Sequence, residues 1–229
     1  NSKLKILRGY IEIGKGTGFE EFDFPAEDYV EFQRRREYLS SPIRRILHQL
    51  RLLKNVGGED FRQDSGFVDL QEAIQVIASK SQRTDIFGRE ELQTREDAWS
   101  ILIDASHSLN MFKGEVRGIA LCLSEVAKSL ILDPSSWGMF AFNNKFYIIK
   151  DFSEKCDARV KARIGGLSYG GLTYLPDAIM LAAQALTKRL EEARVLVIVS
   201  DFFPAGFEGA EEKLRENIKK VERLGIGII

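Results

Sequence analysis

Five oxygen-bearing side chains are the residues of this sequence best placed to do chemistry together. Asp104, Ser106 and Ser108 fall in the run Asp104-Ala105-Ser106-His107-Ser108, Thr173 in Gly170-Gly171-Leu172-Thr173, and Asp201 just after Ser200. Every donor in the set is oxygen, and no His or Cys joins it at a ligand spacing, as Zn²⁺ would require. Mg²⁺ and its analogue Mn²⁺ accept such a set: octahedral oxygen coordination, few carboxylates, several retained waters. Ca²⁺ would usually recruit more carboxylates and carbonyls. Two carboxylates neutralise a divalent ion without surplus, so a carboxylate from outside the chain could complete the shell.

These residues need a scaffold that brings them to one place. Ala98–Ile103 is a short apolar run ending in Asp104, and Arg194–Val199 is an almost wholly apolar run leading to Ser200-Asp201. The second run is of the kind buried on both faces of a parallel sheet. Between them, Val116, Ile119, Ala120, Leu123, Val126, Ala127 and Leu130 keep helical spacing, and Asp133-Pro134 breaks that helix. Runs 137–142 and 146–149 flank Asn143-Asn144-Lys145 as a hairpin, and a helix follows near 154–163. Pro176 opens a long helix to Leu190, another helix covers about 209–224, and 225–229 begins a further strand. Alternating strands and helices predict an α/β fold, a Rossmann-like, open, mostly parallel sheet with helices on both faces. Ligands bind such sheets at the carboxyl ends of strands, where the strand order reverses. The strands ending in Asp104 and Asp201 should be neighbours there, with the hydroxyls at an exposed rim.

The first 96 residues read as a mainly helical N-terminal extension to the domain 97–229. Residues 1–26 alternate weakly and suggest a strand or two, or an arm. Two charged helices follow at about 26–39 and 41–55, and a further one at 67–80. The basic clusters Arg34-Arg35-Arg36 and Arg44-Arg45 read as solvated helix faces balancing the acidic stretch 20–31, or else as an anion site. Simpler readings exist for the site residues as well: Asp104, Asp201 and Thr173 could each only cap the helix that follows. His107 occupies a surface position between the serines, and Cys122 and Cys156 read as core thiols.

Composition closes off other classes. The 229 residues are 44% hydrophobic and 29% charged, with 33 Lys+Arg against 34 Asp+Glu, which excludes a disordered chain or a disulfide scaffold. Neither half of the chain carries a basic excess, which argues against a polybasic nucleic-acid or membrane-surface module. No run approaches the roughly 20 apolar residues of a membrane helix. Two cysteines and no apolar leader fit a cytoplasmic location.

The Asp104-x-Ser106-x-Ser108 run, with Thr173 and Asp201 on later elements, resembles the metal-ion-dependent adhesion site of von Willebrand factor type A domains. The likeness covers about 97–229. It implies that Ser106, Ser108 and Thr173 bind the ion through hydroxyls, and Asp104 and Asp201 directly or through water. It also implies a final strand and helices beyond residue 229, so that 97–229 is a truncated domain. Leu109 stands where the family often has Met, and the Gly frequent before the second Ser is replaced by His107. Upstream, Arg62-Gln63-x-x-Gly66-x-x-Asp69-Leu70 is similar to intracellular prokaryotic proteins of that family that accompany MoxR-type AAA+ ATPases, the nitric oxide reductase activation and cobaltochelatase-subunit groups.

That resemblance implies a non-enzymatic, Mg²⁺-dependent adaptor. Its partner would supply an acidic residue, and would be a MoxR-type ATPase or its client. A metal-dependent phosphoesterase or hydrolase using Asp104 is the enzymatic alternative; no general base stands near the rim and no phosphate-cradling Gly-rich loop with Lys is present. A nucleic-acid-binding module is the third, and the charge balance disfavours it.

Overall fold

The computed structural model describes residues 2–57, 97–204 and 208–229. By its contacts the chain divides into two compact units, residues 1–44 with 95–229, and residues 45–94. Residues 1–44 thus group with the sheet, across the boundary expected at residue 96. The expected helix 67–80 and the motif Arg62–Leu70 lie outside the described residues.

The larger unit is an α/β, Rossmann-like fold. Among the described residues six strands form one sheet in the order β1-β4-β3-β2-β5-β6: β1 (Phe22–Asp23), β2 (Asp97–Asp104), β3 (Trp137–Phe142), β4 (Phe146–Lys150), β5 (Ala193–Val199) and β6 (Ile226–Ile228). The pairs β2–β3, β2–β5, β5–β6 and β1–β4 are parallel, and only the β3–β4 hairpin is antiparallel. From β2 the chain passes to β3 and β4 on one side, then returns to β5 on the other, so strand order reverses between β2 and β5. Ile103 stands beside Val199 there. No helix among the described residues is long and apolar enough to cross a membrane.

The helices are α1 (Ser2–Ile13), α2 (Tyr29–Tyr38), α3 (Ser40–Gly57), α4 (Lys113–Leu130), α5 (Ala158–Gly165), α6 (Leu175–Thr187) and α7 (Ala210–Arg223). They start where the sequence supplies caps. Asp28 accepts from the Glu31 N–H and Asp157 from those of Arg159 and Val160, while Pro176 sits in the first turn of α6. The cap moves the α5 start to residue 158, later than the expected 154. On one face of the sheet, Leu102, Phe140, Ile148, Leu196 and Ile198 pack with Ile179, Ala182, Ala183 and Leu186 of α6 and Leu214 and Val221 of α7. On the other face α4 stands against β2, and α5 against β4 and α2.

Residues 2–13 are a helix rather than the expected strand or arm. Ile6, Tyr10 and Ile13 recur at i, i+4 and i+7, and that stripe is held by tertiary packing: Tyr10 lies 5.3 Å from Phe140 and 6.1 Å from Phe146, ring to ring. Phe19 joins the same cluster, 5.5 Å from Phe146. At the other end of this segment Ala26 bridges Gly166. A Cβ on Gly166 would lie 1.9 Å from the Ala26 carbonyl oxygen and one on Gly165 2.0 Å from that of Asp28, so only glycine permits this approach.

β5 differs from its expected burial on both faces. Leu196 and Ile198 are buried, whereas Val195, Val197 and Val199 are half-buried, giving alternation. Ile119, expected on the apolar face of α4, is exposed.

Candidate functional site

Asp104 is the last residue of β2 and is fully buried. A buried carboxylate needs partners, and both oxygens have one. The Ser106 N–H donates to Oδ1 at 2.8 Å, and the Ser200 hydroxyl donates to Oδ2 at 2.6 Å. The first bond is local, an Asx-type turn as the chain leaves the strand. The second spans the β2–β5 neighbourhood and exists only because those strands are adjacent. Burial pushes the Asp104 carboxyl above its usual pKa; the Ser106 and Ser200 hydrogen bonds hold it down in part, and the nearby Asp201 charge pushes it further up.

The remaining residues converge through backbone contacts. Ser106 is buried and Ser108 exposed, with their hydroxyl oxygens 3.0 Å apart. Between them His107 points to solvent, as expected. The loop carrying Thr173 is tied to this turn twice: Gly170 N–H donates to the Ala105 carbonyl at 2.8 Å, and His107 N–H to that of Gly171 at 3.1 Å. Thr173 is 4% exposed. Ser106 and Thr173 are therefore buried rather than at the exposed rim expected of the hydroxyls, while Ser108 is exposed. Asp201 is exposed and accepts from the Phe203 N–H at 3.1 Å. It lies close enough for its charge to act on Asp104.

Two residues of this arrangement were not singled out as partners in the sequence. Ser200 is one; its place beside Asp201 at a strand end was visible, its bond to Asp104 was not. Asn143 is the other. Its amide donates to the Gly170 carbonyl at 2.7 Å while its carbonyl side accepts from the Lys145 N–H at 2.7 Å, so the β3–β4 turn props the Thr173 loop. Gly171 sits at φ +80°, and a Cβ there would lie 2.1 Å from Asn144 Oδ1. Phe202, at φ +56°, is the only non-glycine residue in the left-handed region among those described, a strained conformation next to Asp201.

Chemically this is a set of hard oxygen donors around one buried carboxylate. Each carboxylate oxygen keeps a free lone pair beyond its hydrogen bond, and the Ser106–Ser108 pair and Asp201 offer further oxygens. Such a set fits a hard divalent cation. Among the described residues no group of three or more His, Cys, Asp or Glu side chains is gathered as a metal cluster, so the hydroxyls are indispensable to any such site.

The basic cluster of α2 has structural partners. Glu31 holds Arg34, Arg35 and Arg117, Arg35 also donates to the Gly114 carbonyl, and Arg36 pairs with Glu125. Hydrogen bonding from Arg35 holds the Glu31 carboxyl below its usual range. For Arg34, Arg35 and Arg36 these pairs make the balanced helix face. Cys122 and Cys156 are free and half-buried, and burial pushes both thiols up. An open cleft of about 960 Å³ lies between α2, the start of α4 and residues 165–169, with Met111 and Tyr169 on its wall.

No family model and no curated protein matches this chain.

Proposed function

We propose that this chain is a non-enzymatic, Mg²⁺-dependent protein-interaction domain similar to von Willebrand factor type A domains, acting as a cytoplasmic adaptor. The observation that carries the reading is Asp104, a buried carboxylate aimed by two hydrogen bonds into a cluster of hydroxyls at the β2–β5 reversal point. Its desolvation is costly for stability alone and is offset when a cation is held there. Asp104, Ser106, Ser108, Thr173 and Asp201 would hold the Mg²⁺, with Mn²⁺ as the substitute. When bound, the ion supplies a Lewis-acidic position for an acidic side chain of a partner. The chain's own residues do the rest: Ser200 and the Ser106 N–H aim Asp104, and Asn143 holds the Thr173 loop in place.

A MoxR-type AAA+ ATPase, or the client it remodels, is the partner this reading favours; the support is the resemblance of Arg62–Leu70 and of the five site residues. The test is titration calorimetry of Mg²⁺ into the chelator-stripped protein, then of candidate ATPases in Mg²⁺ and in EDTA. One Mg²⁺ per chain, lost in Asp104→Asn, is expected. Mg²⁺-dependent turnover of p-nitrophenyl phosphate, abolished by the same substitution, would replace the adaptor reading with the phosphoesterase one.

A further inference from the structure

The loop that carries Thr173 has a third support, and it comes from residues 1–44. Arg117, in the second turn of α4, donates from Nη2 to the Leu167 carbonyl at 2.6 Å and from Nη1 to Glu31 Oε1 at 3.2 Å. Its guanidinium also lies 5.8 Å from the centroid of the Tyr169 ring. Leu167 begins the stretch that runs through Gly170, held by the Ala105 carbonyl and by Asn143, to Thr173. One guanidinium therefore joins α2, α4 and this stretch. Glu31 is itself fixed. Its backbone N–H donates to the Asp28 cap at 2.9 Å, and the Asp28 N–H donates to the Ala162 carbonyl of α5 at 2.8 Å. Arg35 donates twice to the same Oε1, at 3.1 and 2.7 Å, and from Nη1 to the Gly114 carbonyl at 2.8 Å, which ties the carboxylate to the start of α4.

We infer that Glu31 is a positioning residue: by holding Arg117 against the Leu167 carbonyl, it sets the place of the Thr173 loop from α2. That this loop carries a metal ligand rests on the reading above; the placement of the loop does not. The Glu31 and Arg117 side chains are only 11% and 15% exposed, and a guanidinium so shielded is costly without a counter-charge. An arginine also gives up much rotamer freedom when fixed, which acceptors on both sides of its planar fork offset. Glu31 supplies the charged one. With that carboxylate neutralised, Arg117 keeps one neutral acceptor and has water to turn into, because Glu31, Arg117, Leu167 and Tyr169 all line the open cleft. The Leu167 carbonyl then loses its donor. The bonds from Gly170 N–H to Ala105 and from His107 N–H to Gly171 open more often, and Thr173 shifts although no residue beside it has changed.

The test uses the whole chain, with amide hydrogen exchange read by NMR and Mg²⁺ affinity by calorimetry. In Glu31→Gln and in Arg117→Gln the Gly170 and His107 amides should exchange at least about tenfold faster, while the Ile101 and Leu102 amides within β2 keep their wild-type rates. Mg²⁺ should bind about tenfold more weakly to both variants. The double variant should be no worse than Arg117→Gln, since the two residues act in series. Arg34→Ala is the control. Arg34 donates to Oε2 of Glu31, not to the oxygen that Arg117 uses, so both readouts should stay at wild-type values. Unchanged Gly170 and His107 exchange in a folded Arg117→Gln overturns the inference. So do additive effects in the double variant, or faster exchange throughout β2, which would make Glu31 a contributor to stability alone. Faster loop exchange in a protein whose wild type binds no Mg²⁺ supports the loop placement and removes the metal-binding reading. Faster loop exchange at unchanged Mg²⁺ affinity overturns the link from Glu31 to Thr173.

Discussion

Ser200 matters because Asp104 is buried: a carboxylate with no solvent depends on each donor it has. Ser200→Ala removes the bond to Oδ2 and should lower stability by about 1–3 kcal/mol, read by urea denaturation in EDTA. Mg²⁺ should then protect the variant less than the wild type, where saturation at a hundred times Kd adds about 2.7 kcal/mol. Unchanged stability and unchanged Mg²⁺ protection would mean that Asp104 is aimed by its own turn alone. A second residue-scale expectation concerns Lys150, whose buried ammonium donates to the carbonyls of Pro134, Trp137 and Asp151 and lies 4.4 Å from the Trp137 ring centroid. Burial lowers its pKa to about 8. An unfolded lysine titrates near 10.4, so between these values the unfolded chain holds a proton that the folded chain has released. Stability from this group therefore rises with pH in that window and is flat below about pH 8. The stability of wild type relative to Lys150→Met should climb from pH 8 to 10, by at most about 1.4 kcal/mol per pH unit. A pH-independent difference would contradict this.

At the scale of elements, the site is a meeting of loops whose positions are set by strands and by one turn. Gly171 is the element-scale weak point, since its φ of +80° is one that a side chain strains and a Cβ there would push the Asn144 amide aside. Gly171→Ala should destabilise by about 1–3 kcal/mol and weaken Mg²⁺ more than the stability loss explains, because it shifts the loop that carries Thr173. The opposite behaviour is expected in the core. Leu121 on α4 is fully buried, and Leu121→Ala should cost about 2–5 kcal/mol while leaving the Mg²⁺ titration of the folded protein unchanged. Ser108→Ala, at an exposed position, should do the reverse, with near-native melting and weakened Mg²⁺ binding. If Ser108→Ala and Leu121→Ala lose stability alike, the hydroxyl pair is structural.

For the whole molecule, residues 1–44 belong with the sheet: Tyr10 and Phe19 pack on Phe140 and Phe146, β1 pairs with β4, and Ala26 bridges Gly166. A fragment starting at residue 97 should therefore expose that aromatic face, bind a hydrophobic dye and melt without a sharp transition. Adding a 1–44 peptide in trans should restore cooperative melting; a fragment that folds as well alone would show the extension to be dispensable. Periodicities of two and 3.6 along 97–229 already determined the strand–helix alternation, the open sheet and the delivery of Asp104 and Asp201 to strand ends, because those patterns are written within short windows of sequence. The hydroxyl spacing around Asp104 was legible for the same reason. Other features were decided only in three dimensions. The helix at 2–13 depends on Phe140 and Phe146 for its buried stripe, and Asp104 finds its second donor 96 positions away in Ser200. Asn143 props a loop 27 positions on. Such pairings carry no local signature, since each residue acquires its role from a neighbour that only the folded sheet brings within hydrogen-bonding distance.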